Sequence, residues 1–267
     1  SRSVSRLEER LGVRLFVRTT RQIRLTDAGQ VYFEQCREAL ARLVEAEREV
    51  TGRQAEPGGI LRISVPTSYG HYRVLPLLAR YRALHPAVTV QVHLSNRTID
   101  FAEDGYDLAI RVRPPAESTL IGRKLEDAPL VVVASPEYLK GRALPTRPAD
   151  LAQHDCIVFE RPSSGRQINW LFREGGADVE VPISGGLTVT EDVLGCVTLA
   201  RHGAGIAQTF RFIAEDDLAS GKLVELLPAY GGCTRGITLL YPSTRHLPLR
   251  VRTFVDFLVD SLASHRQ

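Results

Sequence analysis

The chain has 267 residues, of which 43% are hydrophobic and 24% charged, which is ordinary for a soluble globular protein and long for a single compact core. No apolar run approaches the roughly 18 residues of a membrane helix, and no secretory signal pattern stands at the start. These features argue against a membrane protein and a secreted one, and we expect a cytoplasmic protein.

The net charge of +3 is unevenly distributed along the chain. The first 24 residues hold seven arginines against two glutamates, whereas the remaining 243 residues hold 27 basic and 29 acidic side chains. A basic head on a nearly neutral body indicates contact with a polyanion at one place rather than a generally adhesive surface.

The four cysteines stand far apart, with no C-x-x-C pair. They are Cys36, Cys156, Cys196 and Cys233. Disulfide scaffolds and zinc sites need closer spacing, so we expect reduced structural thiols; a redox-sensing thiol is an open alternative without support in the sequence. Methionine is absent, even at position 1, so we expect that residues before Ser1 are missing, or that methionines were dropped from the written sequence.

The first residues have the periodicity of an amphipathic helix that ends at Gly12. Its apolar side holds Val4, Leu7 and Leu11, and the opposite side holds Arg2, Arg6 and Arg10. The next stretch, VRLFVRTTRQIRL, alternates like two short strands around a bend at residues 19–22. A basic helix followed by a basic hairpin is typical of a winged helix-turn-helix on DNA. A solvated surface face is the alternative.

Here the chain resembles the LysR-type transcriptional regulators. The motif S-R-x-V-x-x-L-E-x-x-L-G-x-x-L-F-x-R spans residues 1–18, and LTDAG follows at residues 25–29. The resemblance implies a partial winged helix-turn-helix DNA-binding domain over residues 1–25, whose earlier helices are missing. The implied DNA contacts are Ser1, Arg2 and Arg6 on the helix and Arg18, Arg21 and Arg24 on the wing.

Residues 26–52 contain no proline and predict one helix roughly 40 Å long. Thr26 can cap its start, and Asp27 favours the positive end of the helix dipole. An apolar seam at three- and four-residue steps includes Phe33, Leu40, Leu43 and Val50. A single helix with such a seam needs a partner surface. The resemblance favours a dimerising linker helix, the alternative is packing on the protein's own body, and residues 53–59 are predicted to be a hinge.

From Ile60 onward, predicted strands and helices alternate, which indicates an α/β fold with a mostly parallel, doubly wound sheet. The predicted strands are ILRISV, AVTVQVHL, YDLAIRV, LVVVAS, CIVF, INWLF, VPISGGLTVT, GIAQTF, LVELL and GITLLYPS. DGYDLAIR, ASPEYL and GAGIA extend the family resemblance. It implies a two-lobed effector domain like the type 2 periplasmic binding proteins, with lobe I at residues 60–134 and 237–267 and lobe II at 135–236.

Polar side chains follow several of these strands. Because ligands of open α/β sheets lie beyond the carboxyl ends of the strands, we predict an effector site in the cleft between the lobes. The candidate residues are Pro66, Thr67, Ser68, Ser95, Asn96, Arg111, Thr190, Thr209 and Phe210. An arginine, several hydroxyls and an aromatic wall suit a small organic anion, aromatic or not. The alternatives are helix caps for the hydroxyls and a surface salt bridge from Arg111 to Asp104 or Asp107.

The sequence lacks a nucleophile elbow, a complete dinucleotide fingerprint, a phosphate loop and a histidine metal motif. We therefore predict no enzymatic activity, no cofactor and no metal. The predicted function is an effector-controlled, sequence-specific DNA-binding transcriptional regulator. Its predicted partners are double-stranded promoter DNA, a small organic effector and further copies of the chain, as a dimer or a dimer of dimers. The alternative is a soluble solute-binding protein or enzyme on the same two-lobe fold with an unrelated basic head.

Overall fold

The structure is a computed structural model that describes residues 2–18, 23–51, 56–112, 120–243 and 247–263. The chain forms two compact units. The head unit comprises Ser1–Pro57 with Thr244–Leu249, and the body unit comprises Gly58–Ser243 with Arg250–Gln267. Within the described ranges, no helix is long and apolar enough to cross a membrane.

The head unit contains the predicted helix, hairpin and long helix. These are α1 (Arg2–Leu11), β1 (Phe16–Arg18), β2 (Ile23–Leu25) and α2 (Asp27–Thr51). Gly12 ends α1 with a φ of 68°, a left-handed conformation that glycine adopts without cost. β1 and β2 pair antiparallel with Phe16 opposite Leu25. The predicted bend at residues 19–22 lies outside the described residues.

Side chains of the head motif tie the hairpin to both helices. Glu8 Oε1 accepts hydrogen bonds from the backbone N–H groups of Leu15 (2.7 Å) and Phe16 (3.1 Å). Thr26 Oγ1 accepts from the N–H of Gly29 at 2.9 Å, which caps α2 as predicted. A Cβ on Gly29 would lie 2.0 Å from the carbonyl oxygen of Leu15, so the glycine of LTDAG is required for this close approach.

The first half of the body unit alternates strands and helices. Its elements are β3 (Gly59–Val65), α3 (Thr67–Tyr69), a π-helical turn (Gly70–Val74), α4 (Leu75–Leu84), β4 (Val88–Leu94), α5 (Phe101–Asp104), β5 (Leu108–Val112) and β6 (Leu120–Ala134). The π-helical turn ends two residues before Pro76, which has no N–H to donate to a regular helix.

The second half contains shorter strands and a returning helix. Its elements are α6 (Pro136–Leu139), a 3₁₀ turn (Pro148–Gln153), β7 (Ile157–Phe159), β8 (Trp170–Glu174), β9 (Ala177–Val181), β10 (Leu187–Val189), α7 (Leu194–Arg201), β11 (Ala207–Phe210), α8 (Arg211–Ala219), β12 (Val224–Leu226), a 3₁₀ turn (Pro228–Tyr230), β13 (Thr234–Pro242) and α9 (Leu249–Ala263). The Tyr81 ring of α4 meets the Phe254 ring of α9 edge-on at 4.9 Å, which packs α9 against the first half.

The main sheet is mixed rather than mostly parallel. Its strand order is β11-β6-β13-β5-β3-β4, with β12 also paired to β6. β3 is parallel to β4 and β5, but β13 is antiparallel to β5 and β6. The prediction of a mostly parallel sheet is wrong because β6 begins at Leu120, ten residues before the predicted strand LVVVAS, and pairs antiparallel with β13.

One strand serves both halves of the body. β6 pairs with β13 from Leu120 to Pro129 and with β11 and β12 from Leu130 to Ala134. β7 pairs with β10, and β8 pairs with β9. The prediction of one strand over VPISGGLTVT is wrong, because β9 ends at Val181 and a bend precedes β10. A Cβ on Gly185 in that bend would lie 1.7 Å from the carbonyl oxygen of Cys156.

Candidate functional site

The head unit presents arginines to solvent on both its helix and its hairpin. The Arg6 and Arg10 side chains on α1 are exposed, and so is Arg24 on β2. The side chains of Arg2 and Arg18, and residues Ser1 and Arg21 altogether, lie outside the described part of the chain. The head therefore carries exposed positive charge at two of the six predicted DNA contacts, Arg6 and Arg24.

Apolar side chains on α2 are exposed in the single chain. The exposed fractions are 46% for Phe33, 62% for Leu40 and 61% for Leu43, and Val31, which the sequence analysis did not select, is 62% exposed. The Val50 side chain lies outside the described residues. An exposed apolar row on one helix is a surface that a partner can bury.

A cavity of about 590 Å³ lies between the two halves of the body unit. It brings together six of the nine predicted effector residues, Pro66, Ser68, Asn96, Arg111, Thr209 and Phe210. The other three make local contacts instead. Thr67 bonds with Asn96 through its N–H (3.3 Å) and its Oγ1 (2.8 Å), Ser95 Oγ accepts from the N–H of Arg97, and Thr190 accepts from Asp192 through its carbonyl.

Arg111 is a half-buried cation held by neutral groups. Its guanidinium donates to Ser64 Oγ at 2.8 Å, to the carbonyl of Ser64 at 3.2 Å and to its own neighbour Ile110 at 2.6 Å. Burial lowers the pKa of Arg111 to about 10, although the Tyr106 and Asp104 charges act the other way. Its buried Nε has no hydrogen-bond partner among the described residues.

The alternative, a surface ion pair from Arg111 to Asp104 or Asp107, is not formed. Asp107 instead binds Arg250 Nη2 at 3.1 Å and accepts from the N–H of Arg62 at 2.8 Å, while Asp104 accepts from the N–H of Asp100. Across the described ranges, Arg111 has no carboxylate within ion-pair distance. The Thr209 hydroxyl is likewise buried with no described partner.

The remaining lining is mostly apolar, with further arginines and a few uncharged polar side chains. Three arginines join Arg111 in the lining, Arg97, Arg161 and Arg235, and no aspartate or glutamate of the described residues is found there. Aromatic walls missed by the sequence analysis are Phe101, Phe159 and Trp170. Trp170 is 4% exposed, packs in the hydrophobic core with Phe172 and Ile206, and also lines the cavity. A cavity with this lining favours an anion with a large apolar body.

Family comparisons agree with both units. Residues 54–263 match the LysR substrate binding domain, and residues 1–30 match the bacterial regulatory helix-turn-helix protein of the lysR family. The chain belongs to the LysR family. The family, fold class and function predicted from the sequence are thereby confirmed, and the chain is a LysR-type transcriptional regulator with a helix-turn-helix head and an effector-binding body.

LysR-type relatives cover nearly the whole chain. An uncharacterized HTH-type transcriptional regulator of Haemophilus influenzae is 34% identical over 251 residues, which are 94% of this chain and 86% of the relative. The structure of CrgA, a LysR-type transcriptional regulator from Neisseria meningitidis, is 32% identical with a TM-score of 0.68, covering 98% of this chain and 88% of that one. The full-length structure of the Vibrio cholerae virulence activator AphB is 28% identical with a TM-score of 0.67, covering 97% and 88%.

Proposed function

We propose that this LysR-type regulator is controlled by a small organic anion that places its charged group at Arg111 and its apolar body in the cavity. The observation that carries the proposal is the half-buried Arg111 guanidinium, whose Nε is fully buried without a partner and which has no carboxylate partner among the described residues. Burying a charge without a counter-charge is costly, so a ligand carboxylate would lower that cost. The Ser68 and Thr209 hydroxyls line the same cavity and can donate to its oxygens.

Thermal denaturation of the full chain tests this proposal with matched pairs of acids and amides. Benzoate and octanoate would be compared with benzamide and octanamide. Binding of an acid to the folded state raises the melting temperature by mass action, whereas an amide leaves Arg111 without a counter-charge. Equal shifts for acids and amides, or no shift across a broad panel of organic acids, would contradict the proposal.

We further propose that Ser1, Arg2 and Arg6 contact DNA from α1, and that Arg18, Arg21 and Arg24 contact it from the wing. The exposure of Arg6 and Arg24 supports this assignment. Phe33, Leu40, Leu43 and Val50 are assigned to a homodimer, which a second contact can extend to a dimer of dimers. The exposure of Phe33, Leu40 and Leu43 supports the dimer.

The remaining assignments follow from the role of a regulator. We propose the domain division given by the sequence, at residues 1–25, 26–52, 53–59, 60–134 with 237–267, and 135–236. A protein that acts on promoter DNA works in the cytoplasm, and we assign it there. Its curated relatives are named as transcriptional regulators, and we assign it no enzymatic activity.

A further inference from the structure

Direct contacts join the two halves of the body at the edge of the cavity. The Arg97 guanidinium, just after β4, binds both carboxylate oxygens of Glu191, with Nη2–Oε1 at 2.8 Å and Nε–Oε2 at 3.3 Å. Asn96 Nδ2 donates to the carbonyl of Glu191 at 2.6 Å, and the N–H of Thr98 donates to Ser163 Oγ at 2.7 Å. Arg97, Thr98 and Ser163 line the cavity and are exposed, so these contacts lie where the cavity meets solvent.

The backbone of Glu191 is held in a costly conformation. Its φ is 64°, in the left-handed region that residues with a Cβ rarely adopt. In this conformation its carbonyl and its carboxylate both accept hydrogen bonds from the segment after β4. Strained residues of this kind persist where surrounding contacts hold them, and they concentrate at clamps and switches.

We propose that the Arg97–Glu191 ion pair is a latch that holds the cavity closed and limits access of small molecules to it. The Arg97 and Glu191 side chains are 66% and 55% exposed, and ion pairs this exposed are weak. The latch can therefore open while the core on either side stays packed. Opening separates Arg97 from Glu191, breaks the Asn96–Glu191 and Thr98–Ser163 hydrogen bonds, and gives solvent a path to the aromatic wall.

Trp170 reports on the latch without any ligand, because it is the chain's single tryptophan and faces the cavity. The experiment measures acrylamide quenching of its fluorescence in the full chain and in Arg97→Gln, Glu191→Gln and the double variant. The control is Arg123→Gln, which breaks an ion pair of similar exposure with Asp256. We expect both single variants and the double variant to raise the quenching constant by the same factor, about two- to fivefold, and the control to match the wild type.

Two further experiments test whether the attraction between the two charges closes the cavity. Sodium chloride at about 1 M, which screens exposed charges, is expected to raise wild-type quenching to the level of Arg97→Gln while leaving that variant unchanged. The reversed pair Arg97→Glu with Glu191→Arg is expected to restore slow quenching. The latch is overturned if the wild type already has a quenching constant as high as that of Arg97→Gln, or if the single variants have the wild-type constant. It is also overturned if the increases of the two single variants add in the double variant. Loss of the acid-induced thermal shift would contradict the proposed effector and leave these quenching differences intact.

Discussion

Arg111 combines a permanent charge with partial burial and with hydrogen bonds to neutral groups only. Replacing it by glutamine removes a half-buried charge and keeps some hydrogen-bonding capacity, so we expect the melting temperature of the ligand-free protein to stay level or rise. An acid at 100 times its Kd stabilises the wild type by about 2.7 kcal/mol, or about 5–10 °C for a domain of this size. We expect Arg111→Gln to lose this shift.

The matched control for Arg111 is Arg123→Gln, whose exposed ion pair lies outside the cavity lining. It should keep the full shift with the same acid in the same thermal scan. A full acid-induced shift in Arg111→Gln would show that the cavity binds its ligand without this arginine.

The thiols of the body unit are expected to be unreactive in the folded protein. Burial raises the pKa of Cys156 and of Cys196 to about 12, and burial also raises that of Cys233. All four cysteines are free, and Cys36 on α2 is only half-buried. Because the thiolate is the reactive form, we expect Cys36→Ser to show no fast reaction with Ellman's reagent at pH 8 and to react at its three remaining thiols on unfolding.

The raised thiol pKa values also predict how labelling and stability change with pH. A thiol whose pKa is raised by folding stays protonated between pH 9 and about 12, where an unfolded thiol has already lost its proton. Cys36→Ser should therefore still show no fast labelling at pH 9.5, and the free energy of unfolding should begin to fall above pH 9. Labelling of three or four thiols in the folded state at pH 8 would contradict the burial argument.

Two adjacent glutamates of α1 carry the same charge, but only Glu8 has a structural contact. Glu8 accepts the N–H groups of Leu15 and Phe16, whereas Glu9 is exposed. Glu8→Ala leaves these amides without their acceptor, at a cost of about 1–3 kcal/mol, and should weaken DNA binding by loosening the hairpin. Glu9→Ala removes the same charge and should bind DNA slightly more tightly. Equal DNA affinity of the two variants in a gel-shift titration would refute a structural role for Glu8.

The exposed seam of α2 is expected to control assembly. Leu40→Glu with Leu43→Glu places two like charges on each of two facing helices, so we expect sedimentation to shift from dimer to monomer. Leu144→Glu is the control, because Leu144 is 59% exposed on the body unit, and it should sediment like the wild type. An unchanged assembly in the double variant would move the dimer contact off this seam.

Sequence periodicity was sufficient to predict elements whose stabilising contacts come from residues nearby in the chain. The helix ending at Gly12, the hairpin and the capped start of α2 are set by residues within about 20 positions of one another, and they formed as predicted. Four of the first ten residues of β6 are charged, and this segment pairs with β13, more than 100 positions later in the chain. Trp170 and Phe159 line the cavity because of contacts with residues distant in the chain. No local sequence pattern predicts this position.

The positive charge of the head should make the affinity for DNA strongly dependent on salt concentration. Each neutralised phosphate releases counterions, so the logarithm of the binding constant falls linearly with the logarithm of salt concentration. Arg6→Ala is expected to weaken binding and to reduce that slope by about 0.9 without lowering the melting temperature. Arg82→Ala, an exposed arginine of the body, is the control. A DNA affinity that does not change with salt concentration would contradict the proposal that the head binds phosphates.

The changeover of β6 from one partner strand to the next has a mechanical consequence. Pro129, which has no N–H, is its last residue paired with β13, and Leu130 is its first residue paired with β11. The backbone of β6 is continuous through this point, and the N–H of Leu130 is bonded to the carbonyl of Cys233 beside the start of β13. A rotation of one half of the body against the other would therefore twist β6 around Pro129 and Leu130, so the strand restrains such rotations to small angles.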